Sequence, residues 1–309
     1  MAIKSYISMA RPDHWFKNIL IIPGFVIAAL FTQEEWVKFL FPLMVGIASA
    51  CLISSANYLI NEWIDAEFDR HHPVKKDRPA VADGVNAKGV YIAYSGCAIL
   101  GLLLGYLVNI PFFCMSLFLL VMGFFYNVRP FRTKDRAYLD VLSESVNSPI
   151  RLAMGWYVVI ATVLPPASFV VAYWMGGSFL MTIKRYAEYR FINDPERAGL
   201  YRRSFRHYTE EKLLIASFFY SLCAALFLGV FLIKHRVELL VSFPFLAALF
   251  VWYLHIGMKA DSAAQAPEKL YHEKKFMAYV AFVGLLMTAL LFLDLPWLHL
   301  FVTDTFGAQ

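Results

Sequence analysis

The sequence predicts an all-α, polytopic membrane protein with about nine transmembrane helices. Three observations predict it. Hydrophobic residues make up 60% of the chain and charged residues 17%, with a mean hydropathy of +0.56. A soluble domain carries more charge and cannot hide so much apolar surface. Apolar runs recur along all 309 residues, and they are too long and too continuous for the short alternating strands of a β-barrel. Finally, the segments between the runs alternate in basic charge, as loops on opposite membrane faces do.

The predicted spans are roughly 15–32, 37–64, 88–109, 111–128, 138–161, 166–188, 211–234, 236–259 and 274–300. The first contains Pro23–Gly24, which should break or shorten it. Arg11 and Lys17 precede its apolar stretch, Ile19 to Phe31, but no small-residue cleavage site follows, so it reads as a retained span rather than a cleaved signal. The N-terminus and segments 65–88, 129–136, 184–212 and 259–275 hold 24 of the 28 Lys and Arg. By the positive-inside rule this set is cytoplasmic, which puts the N-terminus inside and the C-terminus outside, consistent with an odd number of spans. The whole chain, 1–309, is expected to form one membrane-embedded domain in the cell (plasma or inner) membrane. The four cysteines, Cys51, Cys97, Cys114 and Cys223, are scattered through apolar segments without a CxxC pair, so they read as small buried hydrophobes.

One cytoplasmic stretch, NEWIDAEFDRHHPVKKDRP from Asn61 to Pro79, packs acids and bases together. Asn57, Asn61, Asp65 and Asp69 are spaced by four. If the second span stays helical to Asp69, they form one stripe, with Ser54 extending it inward. Like charges at this spacing repel unless a cation sits on them. Carboxylate, amide and water oxygens suit Mg²⁺, which is typically held by one or two carboxylates plus substrate phosphates. The bland alternative is a solvated helix end. Arg70, Lys75, Lys76 and Arg78 follow at once, with Pro73 and Pro79 stiffening the segment. Arg binds phosphate bidentately and Lys as a point charge. Acids for a metal followed by bases for phosphate describe a pyrophosphate site. His71 and His72 read as surface residues beside a turn rather than as ligands.

The fifth span carries Asp140, Glu144, Asn147 and Arg151 at spacings of four, three and four, which share one helical face. Glu144 and Arg151 would lie roughly 9 and 20 Å along the helix from Tyr138. Ionisable groups within a span face a cavity or a partner. A polar cavity wall and a structural ion pair both fit, and Pro149 should kink the helix.

These motifs carry a resemblance. Asn61-Glu62-x-x-Asp65-x-x-x-Asp69 is similar to the NDxxDxxxD motif of the UbiA superfamily of intramembrane prenyltransferases, with Glu62 replacing the usual Asp. The fuller run DAEFDRHHPVKKDRPAVADG resembles the decaprenyl-phosphate phosphoribosyltransferase branch, roughly DxExDRxHPxKxxRPIAxG. RPDHWFKN (11–18, with Lys17) looks like that branch's RPxxWxKN, and KRYAEYR (184–190) followed by RRSFRHYT looks like its KRYAEL…RxSxxxYT segment. The likeness runs from residue 11 to about 215. It implies a nine-helix bundle around a central cavity capped on the cytoplasmic side.

Two departures matter. Where the superfamily has a second acidic motif, DxxxD, this chain has Lys184-Arg185-Tyr186-Ala187-Glu188, which suits direct phosphate binding; the nearby Asn193-Asp194-Pro195-Glu196 has the wrong spacing to replace the motif. And Tyr126-Asn-Val-Arg129-Pro-Phe-Arg132-Thr-Lys134 resembles the YSxPPxxxK stretch of the wider superfamily, where the phosphoribosyl branch has a shorter YxxxxK form.

The resemblance implies a transferase. Asp65 and Asp69, with Asn61, would hold Mg²⁺ and the pyrophosphate of phosphoribosyl pyrophosphate, helped by Arg70, Lys75 and Arg78. Lys184, Arg185 and Lys134 would hold a polyprenyl (decaprenyl) phosphate acceptor. Lys17, Asn57, Tyr126, Asp140, Glu144 and Arg151 complete the expected substrate-binding set. The alternative keeps the fold and moves a prenyl group from a prenyl diphosphate to an aromatic or other small acceptor. A third reading is a lipid or solute transporter, whose mark would be charges deep in several spans. Nothing calls for nucleic acid, and a homo-oligomer is compatible with the sequence.

Overall fold

The computed structural model describes residues 2–32, 35–70, 75–82, 85–265 and 267–301, and among these there is no β-strand. The helices are α1 (Ala2–Ala10), α2 (Ile22–Thr32), α3 (Leu40–Asp69), α4 (Pro79–Ala82), α5 (Ala87–Val108), α6 (Ile110–Asn127), α7 (Leu139–Ser145), α8 (Asn147–Val159), α9 (Ala167–Ile192), α10 (Pro195–Tyr201), α11 (Glu210–His235), α12 (Phe243–Gly257) and α13 (Lys274–Phe292), with short 3₁₀ turns between. They fall into two compact units: residues 1–165 with 192–209, and residues 166–191 with 210–309.

Seven helical stretches among the described residues are long and apolar enough to cross a membrane, against the nine spans expected. The difference lies in the fifth and sixth. The expected fifth span, 138–161, is two shorter helices that meet at Val146. Pro149 supplies the reason: its ring opposes the carbonyl four residues back, which belongs to Ser145, the last residue of α7. The sixth, α9, is 26 residues long but falls outside the seven; Lys184, Arg185, Glu188 and Arg190 lie in its last three turns.

In the first unit α3 is the central element, against which α1, α5, α6 and α8 pack. Small residues set the close approaches, as they do where helices associate in lipid. A Cβ on Gly24 of α2 would stand 1.9 Å from the Leu152 carbonyl of α8, and one on Gly155 of α8 would stand 1.9 Å from the Ile21 carbonyl. Ser49 donates to the Gly101 carbonyl at 2.7 Å, which ties α3 to α5 by a buried hydrogen bond. The core beneath is built from Phe25, Ile53, Phe112, Leu119, Met154 and Trp156. The outer faces stay apolar: Leu103 and Leu107 on α5 are exposed, as expected where the solvent is hydrocarbon.

In the second unit, aromatic pairs join the helices. Phe169 stacks on Phe231 at 4.5 Å, and Phe179 meets Phe250 at 4.6 Å. Ile183 seats against Gly257 of α12. Ile215, Phe218, Phe219, Leu222 and Leu226 form an exposed apolar stripe on α11.

Candidate active site

The site of interest lies in the first unit, at the end of α3. The helix runs unbroken for 30 residues, so Asn57, Asn61, Asp65 and Asp69 share it at one-turn intervals. Each acid meets a base from elsewhere in the chain.

Asp65 is the hub. Its Oδ1 accepts from Lys134 Nζ at 2.5 Å and from Arg132 Nη2 at 2.9 Å. Lys134 also donates to Asn127 Oδ1 at 2.7 Å, and Asn61 Nδ2 donates to that same oxygen. Arg132 donates in addition to the Asn127 carbonyl at 3.0 Å and to Asp135 Oδ2 at 3.0 Å, and its guanidinium lies 4.8 Å from the Phe68 ring centre. Both bases are buried. They come from the loop after α6, where Arg132 takes a positive φ of 26°. A non-glycine residue there is strained, and its side-chain bonds are what hold it. Burial pushes the Lys134 ammonium down to about 8, against the pull of Asp65.

One turn on, Asp69 is buried and Arg78 Nη1 donates to its Oδ2 at 2.5 Å. Burial works against the Arg78 charge, but the adjacent Asp69 wins and raises its pKa above the ordinary value. Glu62, which stands where the family motif has Asp, faces away from this stripe: Arg11 Nη2 donates to its Oε2 at 2.9 Å. Arg70 ends α3 and is exposed. The side chain of Lys75 lies outside the described residues, as do His71 and His72.

A second cluster stands beside the first. Glu144 Oε2 accepts from Tyr126 OH at 2.8 Å, and Tyr126 in turn accepts from Arg202 Nη1 at 3.3 Å. Lys134 lies 5.6 Å from the centre of the Tyr126 ring, which joins the two clusters. Asp140 is fully buried; its oxygens accept from Tyr208 OH at 2.6 Å and Ser204 Oγ at 3.1 Å, with Arg202 Nη1 at 3.7 Å. It therefore anchors the 202–208 segment.

Three expected residues have partners away from the two carboxylates. Asn57 Nδ2 donates to the Leu119 carbonyl of α6 at 3.0 Å, and its amide lies against Gly123. Arg151 donates to Asn18 Oδ1 at 2.8 Å, Ser54 Oγ at 3.1 Å and the Asn147 carbonyl at 3.1 Å, which locks α8 to α3 and the Pro12–Ile21 turn. Lys17 Nζ lies 3.0 Å from His14 Nδ1 and 5.9 Å from the Tyr58 ring centre. Lys184 and Arg185 belong to the second unit, where the buried Arg185 pairs with Glu188 at 3.7 Å. Asp194 is spent capping α10, accepting from the Glu196 and Arg197 amides at 3.0 and 3.1 Å.

Asn127, Arg132 and Arg202 were not among the residues singled out in the sequence as site residues. Arg132 and Asn127 lie inside the Tyr126–Lys134 stretch, so the signal was present. Arg202 opens RRSFRHYT, the segment that resembles RxSxxxYT, so its signal was present as well.

The donor set can be tested against a divalent ion. Asp65, Asp69 and Asn61 offer oxygen ligands only, the set Mg²⁺ prefers. Both bases on Asp65 bond the same oxygen, Oδ1, and no hydrogen bond to Oδ2 is present among the described residues. No group of three or more His, Cys, Asp or Glu converges among the described residues. The described residues thus supply too few ligands to cage the ion, and substrate phosphate and water would complete its shell, the usual arrangement for Mg²⁺. The residues fit that ion.

Known proteins resemble this chain in sequence and in fold. The model of the UbiA prenyltransferase family matches residues 20–280. Decaprenyl-phosphate phosphoribosyltransferase of Mycolicibacterium smegmatis is 30% identical over 218 residues, 68% of this chain and 64% of that protein. The enzyme of the same name from Mycobacterium tuberculosis is 30% identical over 217 residues, 68% of each chain. Among solved structures, a UbiA homolog from Archaeoglobus fulgidus bound to GPP and Mg²⁺ superposes with a TM-score of 0.70 at 19% identity, covering 94% of this chain and 100% of that one.

Proposed function

We propose, from the premise that this chain belongs to the UbiA prenyltransferase family, that it transfers a 5-phosphoribosyl group from phosphoribosyl pyrophosphate to a polyprenyl phosphate. The chain is a membrane-embedded transferase. The observation that carries the proposal is the pair of carboxylates one turn apart, Asp65 and Asp69, each gripped by bases from other segments. The relatives named decaprenyl-phosphate phosphoribosyltransferase support the choice of donor and acceptor.

A bound Mg²⁺, held by Asp65 and Asp69 with Asn61, would neutralise pyrophosphate charge. The chain's own residues do the rest. Lys134, Arg132 and Arg78 hold the two carboxylates in place and add positive charge around the leaving group. As the bond from the ribose anomeric carbon to the pyrophosphate oxygen breaks, the electron pair leaves with that oxygen. Preorganised positive groups stabilise the developing charge without reorganising at the moment of reaction. A lipid phosphate oxygen then forms the new bond to the anomeric carbon. It is already anionic, so no proton has to be removed. The product is a polyprenyl-linked 5-phosphoribose, a type of sugar carrier that suits arabinan precursors of a cell wall. In this reading the chemistry lies on the cytoplasmic face of the cell membrane, which the Lys and Arg asymmetry supports, and residues 1–309 act as one transferase domain.

A second reading is prenyl transfer from a prenyl diphosphate, favoured by the Tyr126–Lys134 stretch. The assay that separates the two uses detergent-purified protein with Mg²⁺, polyprenyl phosphate and radiolabelled phosphoribosyl pyrophosphate. Label is expected in the organic phase, and Asp65→Asn, Asp69→Asn or chelation of the metal should abolish it. A folded protein that places no label in lipid would sink the phosphoribosyl reading, and a prenyl diphosphate would become the next donor to try.

A further inference from the structure

Beside the Asp65 cluster, the loop after α6 and Arg203 line an open pocket of about 540 Å³. Its lining includes Arg129, Arg132, Arg136 and Arg203, with Asp135 as the one carboxylate and Pro130 and Phe131 as the uncharged members. The four guanidinium groups are not equivalent. Arg132 is buried and committed to Asp65, Asp135 and the Asn127 carbonyl. Arg203 stands 3.9 Å from Asp135 and 5.5 Å from the Phe68 ring centre. Arg129 and Arg136 are exposed, and neither side chain has a hydrogen bond or ion pair among the described residues. Two uncommitted guanidiniums at one cavity, beyond what Asp135 can neutralise, make a site for an anion with several acceptor oxygens.

We propose that the Arg129–Arg136–Arg203 cavity binds the 5-phosphate of the sugar donor while Asp65 and Asp69 take its pyrophosphate; this rests on the phosphoribosyl reading above. Arg132 links the two places, since it lines the cavity and bonds Asp65. Phe68, on the same turn of α3 as Asp65 and Asp69, lies under both Arg132 and Arg203. Two anionic subsites that share one arginine match a donor with an anionic group at each end. A prenyl diphosphate has one anionic end and an apolar tail, which leaves an arginine-lined cavity with nothing to bind. The lipid acceptor also carries a phosphate monoester, but its tail needs a long apolar channel, and four of the seven residues that line this pocket are arginines, with Asp135, Pro130 and Phe131 the others.

The test compares full-length wild type with Arg129→Gln/Arg136→Gln in detergent, using ribose 5-phosphate and inorganic pyrophosphate as separate binding probes with Mg²⁺ present. Because both side chains are exposed and unpaired, the double variant should unfold at the wild-type temperature. The proposal expects it to bind ribose 5-phosphate roughly tenfold or more weakly, from the loss of charge-assisted hydrogen bonds. Its KM for phosphoribosyl pyrophosphate should rise in parallel, and its affinity for pyrophosphate should stay at the wild-type value. If wild type labels lipid and the variant binds ribose 5-phosphate as wild type does, the cavity assignment is overturned while the function stands. A KM that rises for polyprenyl phosphate alone gives the cavity to the acceptor and also overturns it. If wild type neither binds phosphoribosyl pyrophosphate nor labels lipid, the parent reading has failed and the cavity assignment falls with it.

Discussion

The Asp65 carboxylate and the Lys134 ammonium meet at 2.5 Å although 69 positions separate them in the chain. Lys134 has almost no exposure, and Arg132 bonds the same carboxylate oxygen. Replacing Asp65 by Asn leaves both bases buried without their counter-charge. Breaking such a pair costs about 3–5 kcal/mol. Asp65→Asn should therefore lower the unfolding midpoint in detergent as well as abolish transfer. The double change Asp65→Asn/Lys134→Met should recover much of the stability but none of the activity. A double variant no more stable than the single one would show that the pair is not coupled.

The same lysine gives a pH signature. Its value is pushed down from 10.5 to about 8 by burial. Between those two values the unfolded chain holds more protons than the folded one, so folding stability rises with pH across that window. Below about 8 both states are charged and the cost is constant. Metal-free protein should therefore gain stability from pH 8 to 10.5 relative to Lys134→Met. Parallel melting curves for the two proteins across that range would exclude it.

Tyr208 holds Asp140 at 2.6 Å and accepts from the Tyr138 amide at 2.5 Å. Tyr208→Phe leaves a buried acceptor and a backbone donor short of a partner, a loss of about 1–3 kcal/mol. Calorimetry should register the loss, while the KM for the sugar donor stays at the wild-type value. A raised KM without a stability change would instead place Asp140 at the substrate.

The crossing of α2 and α8 tolerates no added carbon. Gly155→Ala would bring a methyl group to 1.9 Å from the Ile21 carbonyl, whereas Gly96→Ala on α5 meets nothing within 4 Å. Overpacking of this kind costs about 1–3 kcal/mol. Size-exclusion yield and melting temperature should fall for Gly155→Ala and hold for Gly96→Ala. Equal behaviour of the two would mean that the helices do not approach this closely.

Several features of this protein were fixed by the sequence alone, because they depend on composition and short-range spacing. Long apolar runs must be helices in lipid, since every backbone polar group there needs an internal partner. The four-residue spacing from Asn57 to Asp69 puts those residues on one helical stripe wherever the helix ends up. Only the tertiary structure decided which bases answer which acids. The sequence suggested Arg70, Lys75 and Arg78 as one basic run after the acids; of these Arg78 is seen on Asp69, while the Lys75 side chain lies outside the described residues, and Asp65 is answered by Arg132 and Lys134 from the loop after α6. Likewise Arg151, an ionisable group deep in a predicted span, serves Asn18 at a separation of 133 positions. No local pattern encodes such meetings. They follow from how α3, α6 and α8 pack, and side chains distant in sequence become neighbours only when the apolar faces and small residues of those helices have set the spacing between them.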